Sequence, residues 1–574
     1  MKNFKGLLTM IFFALTMFSF PVRGQTDGQL RAIVALAGVS SEEELDEQEI
    51  DRYLHFIQHP LEINMSGKAR LHSSGLLNRY QVASLEDYRS RFGDILSFTE
   101  LAAVEGFGPD YVSLLKPFIS FRNRSNPGAL PDDSLRFKQD VLAKAAVRGK
   151  EYNYGVKYKA SFGERGELSV AGRPSSWSAN VTYYGIRRPW KLVAGDYNLR
   201  FGQGLALWSG LSMTGFSSSA SFCRRPSGLS PSYSWSGVGT HRGMAADYQV
   251  GRFVFTSFLS YAGPESKLGG NVGYYGKTGQ MSLTAFGGKT TGKLAMDFRL
   301  NHKGMDYFGE SSFDVSGRAV AAVCGAAVPL LEDLKMNVVF REYPSGYSTD
   351  HSGGARSWSK PSGEKGAAFG LERHGFIATC DFAYKDTGKK QEQCKLFLTF
   401  PVQITPCLVL STRFTEKIKP REEYLKYRTG VRIDLDWSSA GLSARYGESE
   451  GDAWKGRLRI EGLLCRSLAG LSYAEFGRKT GSYSAYMRGT VFLVDNWDDR
   501  IYSYERDAPG NYNVPAYYGR GYSLSAVGGS RFRFRGRKAK TLKVYFRVST
   551  TRYPFMEKPK PAKTEAKLQV MASL

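Results

Sequence analysis

The chain has 574 residues, a formal net charge of +24 and a mean hydropathy of −0.34. It is far longer than one small domain needs and too polar for a bundle of membrane helices. Its 63 glycines, 33 tyrosines and 36 phenylalanines suit many short strands joined by turns.

Met1–Gly24 reads as an export signal. Lys2 and Lys5 form its basic end, Leu7–Phe20 its apolar core, and Val22-Arg23-Gly24 its cleavage region. The mature chain is expected to begin near Gln25. Next comes an acidic run, Ser41–Asp51 (SEEELDEQEID), whose spacing predicts a solvated helix face.

Ser97–Phe121 (SFTELAAVEGFGPDYVSLLKPFISF) predicts two short helices. Ser97 is a good N-cap, with Glu100 three residues on, as in a capping box. Gly106-Phe107-Gly108 breaks the first helix, and Pro109 opens the second. Val112, Leu114, Leu115 and Phe118 form the apolar side of the second helix. This pattern resembles a helix-hairpin-helix unit. Leu61–Gly93, with Leu76, Leu77, Val82, Leu85 and Tyr88 at helical spacing, resembles a weaker first copy without the Gly-apolar-Gly turn.

The resemblance implies that the amides around Gly106, Phe107 and Gly108 contact nucleic-acid phosphates, as in competence DNA receptors, or a partner protein. DNA-binding members place Lys or Arg after the second glycine, where this chain has Pro109 and Asp110. Residues 25–125 also carry a net charge of −5, while everything after them carries +26. A nucleic-acid module normally brings its own positive patch, so module charge disfavours DNA.

Arg122–Ser134 (RNRSNPGALPDDS) reads as a linker. Beyond it the apolar period becomes two. Tyr152, Tyr154, Val156, Tyr158, Ala160 and Phe162 alternate with Asn153, Gly155, Lys157, Lys159 and Ser161. Tyr427, Thr429, Val431, Ile433, Leu435 and Trp437 alternate with Arg428, Gly430, Arg432, Asp434 and Asp436. Met296, Phe298 and Leu300 alternate with Asp297, Arg299 and Asn301. Leu568, Val570, Ala572 and Leu574 close the chain in the same way. A soluble sandwich also alternates, but an export signal, long strands and abundant aromatics favour an outer-membrane barrel. The expected fold is mostly β, a large antiparallel transmembrane β-barrel of roughly 18–22 strands after a small all-α domain. The expected divisions are 1–24 signal, 25–121 periplasmic helical module, 122–134 linker and 135–574 barrel.

Three long connections interrupt the strands: Gly215–Gly243, Pro344–Gly366 and Asp495–Gly521. They belong on the outer face or fold into the lumen. Two barrel stretches stand out, Gly195–Trp208 (GDYNLRFGQGLALW) and Asp495–Gly521. With the helical module they resemble an uncharacterised family of exported helix-hairpin-helix outer-membrane proteins of Gram-negative bacteria. Asp196, Asn198 and Arg200 share one strand face, and Gly202 and Gly204 permit a bend or a close approach. With Gln203 they are candidate lumen residues, joined by Arg500, Glu505, Arg506 and Asp507. The carboxylates Asp495, Asp498, Asp499, Glu505 and Asp507 suit either Ca²⁺ or pairing with Arg500 and Arg506, in no EF-hand spacing.

Cys223, Cys324, Cys380, Cys394, Cys407 and Cys465 are too sparse for a disulfide scaffold and show no CxxC spacing. Cys380 and Cys394 flank an expected turn near Thr387, which fits a cross-strand bridge or two free thiols. No HExxH occurs, and Gly276-Lys277-Thr278 and Gly288-Lys289-Thr290 lack the first glycine of a phosphate loop. The sequence thus points to a non-enzymatic barrel, for transport or as an envelope scaffold, with no catalytic residue, cofactor or metal expected. Its expected partners are outer-membrane lipid and a periplasmic protein. A DNA-uptake protein and a barrel-embedded enzyme are the alternatives.

Overall fold

The computed structural model describes Asp27–Ser573 except 40–41, 46, 122–136, 440–452 and residues at turns and loops (164, 186–189, 211–214, 219–220, 236–238, 262–264, 277–278, 332–333, 374–375, 389, 406, 421–424, 481, 535–539, 557–559). The export signal, the linker and Leu574 therefore lie outside the described residues, as do Lys277 and Thr278.

Among the described residues six α-helices come first: α1 (Asp27–Ala37), α2 (Glu47–Gln58), α3 (Lys68–Ser73), α4 (Arg79–Phe92), α5 (Phe98–Ala103) and α6 (Gly108–Leu115). Their apolar faces meet in one core, in which Ile33, Leu71, Leu85, Leu101, Leu115 and Phe118 are fully buried. A two-residue parallel bridge, Leu61–Glu62 against Ile119–Ser120, ties the start of this segment to its end. Helix α4 begins at a complete capping box. The Asn78 side chain accepts from the Gln81 N–H at 2.8 Å, and the Gln81 side chain accepts from the Asn78 N–H at 3.0 Å. At α5 the box is altered. Ser97 Oγ accepts from the Glu100 N–H, but the Glu100 carboxylate takes the Leu96 N–H instead of that of Ser97.

From Phe137 onward the chain forms a closed antiparallel barrel. The last strand, Lys563–Ser573, pairs with the first, Phe137–Arg148, and seals it. Closure leaves no unpaired edge, the condition for a sheet surrounded by lipid. Among the described residues the wall has 24 strands of 8 to 16 residues; a four-residue strand, Gly228–Pro231, lies inside and pairs only with Trp190–Arg200. The count exceeds the expected 18–22. Hairpins such as Gly292–His302/Met305–Asp314 turn within two residues, so the sequence shows no loop to count there.

The alternation holds. In Leu425–Ser438, Tyr427, Val431, Ile433 and Trp437 are exposed on the outside, and Arg432 is buried. Exposed aromatics gather at the strand ends. Tyr183, Tyr248, Tyr274, Tyr307, Trp437 and Trp454 ring the end that carries Phe137 and Ser573. Tyr152, Trp177, Tyr261, Phe313 and Tyr427 ring the other. Aliphatic residues such as Val181, Leu283, Val431 and Ile460 lie between them.

The two ends differ in their connections. At the end holding both barrel termini, most turns are short. The opposite end carries the long connections 201–240, 344–363 and 495–518. All three fold inward, burying Trp208, Phe216, Trp235, Tyr347, Ala355 and Ala508. Two glycines open the way for the first. Gly195 and Gly243 face each other across two strands with φ of 103° and 152°. A Cβ at either would stand 2.1 Å from a backbone oxygen, so only glycine allows this bend.

Cys380 and Cys394 lie on neighbouring strands about the turn near Thr387 but are two residues out of register. All six cysteines are free thiols.

Candidate functional site

The helical module packs inside the barrel, and its acidic residues meet the cations of the lumen. The run read from sequence as a solvated face is instead the docking seam. It forms a short 3₁₀ turn, Glu42–Glu44, followed by α2. Glu43 receives Arg459 Nη1 at 2.7 Å, Arg432 Nη1 at 3.3 Å and the Tyr504 N–H at 3.1 Å. Asp434 receives the Nε atoms of the same two arginines, each at 2.6 Å. Glu42 pairs with Arg457 at 3.4 Å, Glu49 with Arg200 at 3.2 Å, and Asp51 with Lys157 at 3.2 Å. Burial alone would raise the Glu43 carboxyl, but the charges of Arg432 and Arg413 and the Tyr504 N–H bring it down to about 2.

A second cluster binds the module nearer the end with the barrel termini. Lys159 Nζ lies 2.7 Å from His55 Nε2, and the buried Glu167 takes Arg70 at 3.1 Å and the Tyr233 hydroxyl at 2.7 Å. The His55 ring stacks on Tyr233 at 4.9 Å. Burial, then the charge of Lys159, holds His55 well below its usual value, so it docks as a neutral ring. His59 reaches Asp140 of the first strand at 2.6 Å.

The inward loops complete the filling. Glu310 of the wall accepts the N–H groups of Gln203 at 2.6 Å, Leu205 at 3.0 Å and Ala206 at 2.9 Å. Gly202 makes this approach possible, since a Cβ there would stand 2.6 Å from the Glu310 carboxylate at φ 55°. Tyr504 and Tyr512 of the loop 495–518 pack against the module's core, and the Tyr512 hydroxyl donates to the Glu42 carbonyl.

The residues singled out from sequence fall into three groups. Asp196, Asn198, Arg200 and Gln203 are buried where the strand Trp190–Arg200 turns inward. Asp196 accepts from Arg242 at 2.7 Å and from the Ala179 N–H at 2.8 Å. Glu505, Arg506 and Asp507 fasten the third loop to the wall, through Arg547, through Glu475 at 2.5 Å and through Lys567 at 2.7 Å. Arg500 does not join them. It donates to the Tyr502 hydroxyl at 2.8 Å and to the Trp497 carbonyl at 2.8 Å. The loop's remaining carboxylates have partners on the strands and turns around them. Asp495 takes Arg520 at 2.6 Å, Asp498 takes Arg466 at 2.8 Å, and Asp499 accepts the Arg466 and Ser467 N–H groups. These five carboxylates are thus dispersed rather than converged. Among the described residues no cluster of three or more His, Cys, Asp or Glu has metal-holding geometry.

The hairpin residues lie at the module's edge. Phe107 is buried in the core; Gly106 and Asp110 are exposed. Gly106 lines a recess with Asn78, Tyr80, Gln280, Arg299 and Asp306, at the barrel rim near the termini. Its carbonyl accepts from Gln81 Nε2 at 2.8 Å. Both glycines have positive φ, 85° and 69°, but a Cβ on Gly106 would strike the Tyr80 ring at 2.6 Å while Gly108 has open space. Gly106→Ala is therefore expected to destabilise the module by about 2–3 kcal/mol and Gly108→Ala by about 1 kcal/mol. Protease susceptibility of the module in the folded full chain checks the order.

No family model matches the chain, and no curated protein does. Solved barrels do. The P pilus usher (PapC) translocation pore is 10% identical, over 76% of this chain and 99% of its own, with a TM-score of 0.35. An E. coli P pilus tip assembly intermediate, PapC-PapD-PapK-PapG, is 8% identical over 79% and 63%, with a TM-score of 0.42. Pseudomonas aeruginosa OccK5 (OpdH) is 9% identical over 76% and 97%, with a TM-score of 0.29. At these values the likeness carries no functional argument.

Most of the docking residues carry no signal in the sequence: Arg432 and Arg459 as partners of Glu43, and Glu310 as the anchor of the first loop. A lone Arg, Lys or Glu on an alternating strand gives no sign of its partner. The sequence also holds one Gly-x-Ser-x-Gly pentapeptide, Gly447–Gly451 (GESEG). That motif lies between the strands Leu425–Ser438 and Ala453–Leu464, outside the described residues. The nucleophile elbow needs a strand-to-helix turn.

Proposed function

We propose that this protein is a non-enzymatic outer-membrane transport barrel, and that its helical module is the plug that closes it. The observation that carries the reading is the acidic seam, Glu42 to Asp51, set onto lumen cations. The apolar band between two aromatic rings supports a membrane location, since such girdles mark the two interfaces of outer-membrane barrels. The distribution of short turns and long loops supports an orientation with the barrel termini in the periplasm. In it the hairpin rim, with Gly106 and Asp110, faces the periplasm, where a protein partner can draw on the plug.

This reading also gives the charge asymmetry of the sequence a purpose. The −5 of residues 25–125 complements the basic lumen rather than repelling a nucleic acid. A DNA-uptake role would need a phosphate-binding hairpin, and Asp110 stands where that family places a cation.

The test is solute flux through the full-length protein in liposomes. Wild type is expected to pass little of a small neutral sugar. The triple variant Glu42→Gln, Glu43→Gln, Glu49→Gln is expected to pass it at least tenfold faster, because four of the seam's ion pairs are lost while the wall stays intact. Free flux through wild type, or a triple variant that folds and stays closed, would sink the plug reading.

A further inference from the structure

A cavity of about 800 Å³ lies between the plug and the wall. It is bounded by the end of α1, by Glu43 to Arg52, by the loop 201–240 and by four neighbouring strands between Phe376 and Ser438. Its size is that of a pocket for a small organic molecule. Trp208, Phe216 and Phe397, all buried, give it an apolar floor.

Its walls are unbalanced in charge: eight Arg or Lys side chains against five Asp or Glu. Four of the acids are already engaged, Glu44 by the Ser217 hydroxyl at 3.2 Å. Glu43 is taken by Arg432 and Arg459, Asp381 by Arg341 at 2.7 Å, and Glu49 by Arg200 and Arg52. Arg224 is the decisive residue. It is 7% exposed, and its guanidinium lies 4.5 Å above the Trp208 ring. Its backbone is pinned, with the N–H donating to Gln203 Oε1 at 3.0 Å. Its Nε and Nη2 are nevertheless buried with no hydrogen-bond acceptor. Burial lowers its pKa to about 10, which still leaves it cationic at neutral pH. Proteins rarely leave such a group unanswered, because a buried charge without an acceptor is costly.

We propose that this cavity binds a small organic anion, its carboxylate or phosphate clasped by Arg224 and its apolar body resting on Trp208, Phe216 and Phe397. The planar fork of a guanidinium matches two oxygens of such a group. Arg225 and Arg356, on the same cavity, add to the positive field. The site touches both plug and wall, so an occupant bridges the two. The inference does not depend on the transport reading, because binding is read at equilibrium.

The experiment uses the full chain folded in an uncharged detergent, titrated calorimetrically with phenyl phosphate, benzoate and inorganic phosphate. One saturable site is expected for the two aromatic anions, with inorganic phosphate weaker. Arg224→Gln should weaken binding roughly tenfold or more, the worth of one charge-assisted hydrogen bond. Arg224→Lys should recover part of it, and Arg148→Gln, on the barrel's exposed rim, should change nothing. The stronger of the two aromatic anions assigns the oxo group. A second measurement needs no variant: phenyl phosphate should raise the unfolding temperature of wild type, and phenyltrimethylammonium should not. Absence of saturable binding, or equal affinity in a folded Arg224→Gln protein, overturns the proposal. If that variant does not fold, equal thermal shifts from the anion and the cation overturn it instead.

Discussion

Glu43→Arg is expected to undock the helical module from the lumen. The substitution would place a third guanidinium against Arg432 and Arg459, the latter fully buried. Removing one partner of a buried ion cluster costs about 3–5 kcal/mol, and reversing its sign costs more. The expected readouts are rapid proteolysis of residues 27–121 in an otherwise folded barrel, and solute flux. The charge swap Glu43→Arg with Arg459→Glu should restore part of the protection. Proteolysis of the variant no faster than wild type would contradict the seam. The same residue sets an acid limit. Its carboxyl falls from 4.5 to about 2 on docking, so the docked state binds fewer protons in that window. Its contribution, about 3 kcal/mol, is fully present above about pH 4.5 and is lost as pH falls through about 2. Glu43→Gln should remove that part of the acid sensitivity.

Val431→Arg is expected to block assembly. Val431 faces outward, 47% exposed, in the middle of Leu425–Ser438. An arginine at the centre of a lipid-facing strand costs about 2–4 kcal/mol. Heat-modifiable migration of detergent-folded protein reads the effect, with Val431→Leu as the tolerated control. The inward neighbours are not neutral sites. Asp434→Arg would face Arg432 and Arg459, and a Cβ on Gly430 would stand 2.6 Å from Thr415 Oγ1. The two faces therefore fail differently. Outward substitutions should prevent insertion, whereas inward ones should disturb packing and docking of the helical module after insertion. A Val431→Arg protein that inserts as well as wild type would refute the assigned lipid face.

The helix ends at Asn78 and Ser97, the Gly106–Gly108 turn and the outward faces at Val156, Met296 and Val431 were legible in the sequence. Each depends on neighbours only a few residues apart, through capping, backbone conformation or a period of two. The charge partition between Gln25–Ser125 and the rest was equally visible. What it meant was not. Glu43 meets Arg459 across 416 residues of chain, and nothing local distinguishes a carboxylate that faces water from one that faces an arginine. The strand number, the inward course of the loops and the two unpartnered guanidinium nitrogens of Arg224 belong to the same class. The strands, their two faces and the sign of charge on each part follow from residues close together in the chain. Only the closed barrel brought the acidic module against the basic lumen, because long-range ion pairs and backbone approaches such as Gly202 to Glu310 exist only once the wall encloses them.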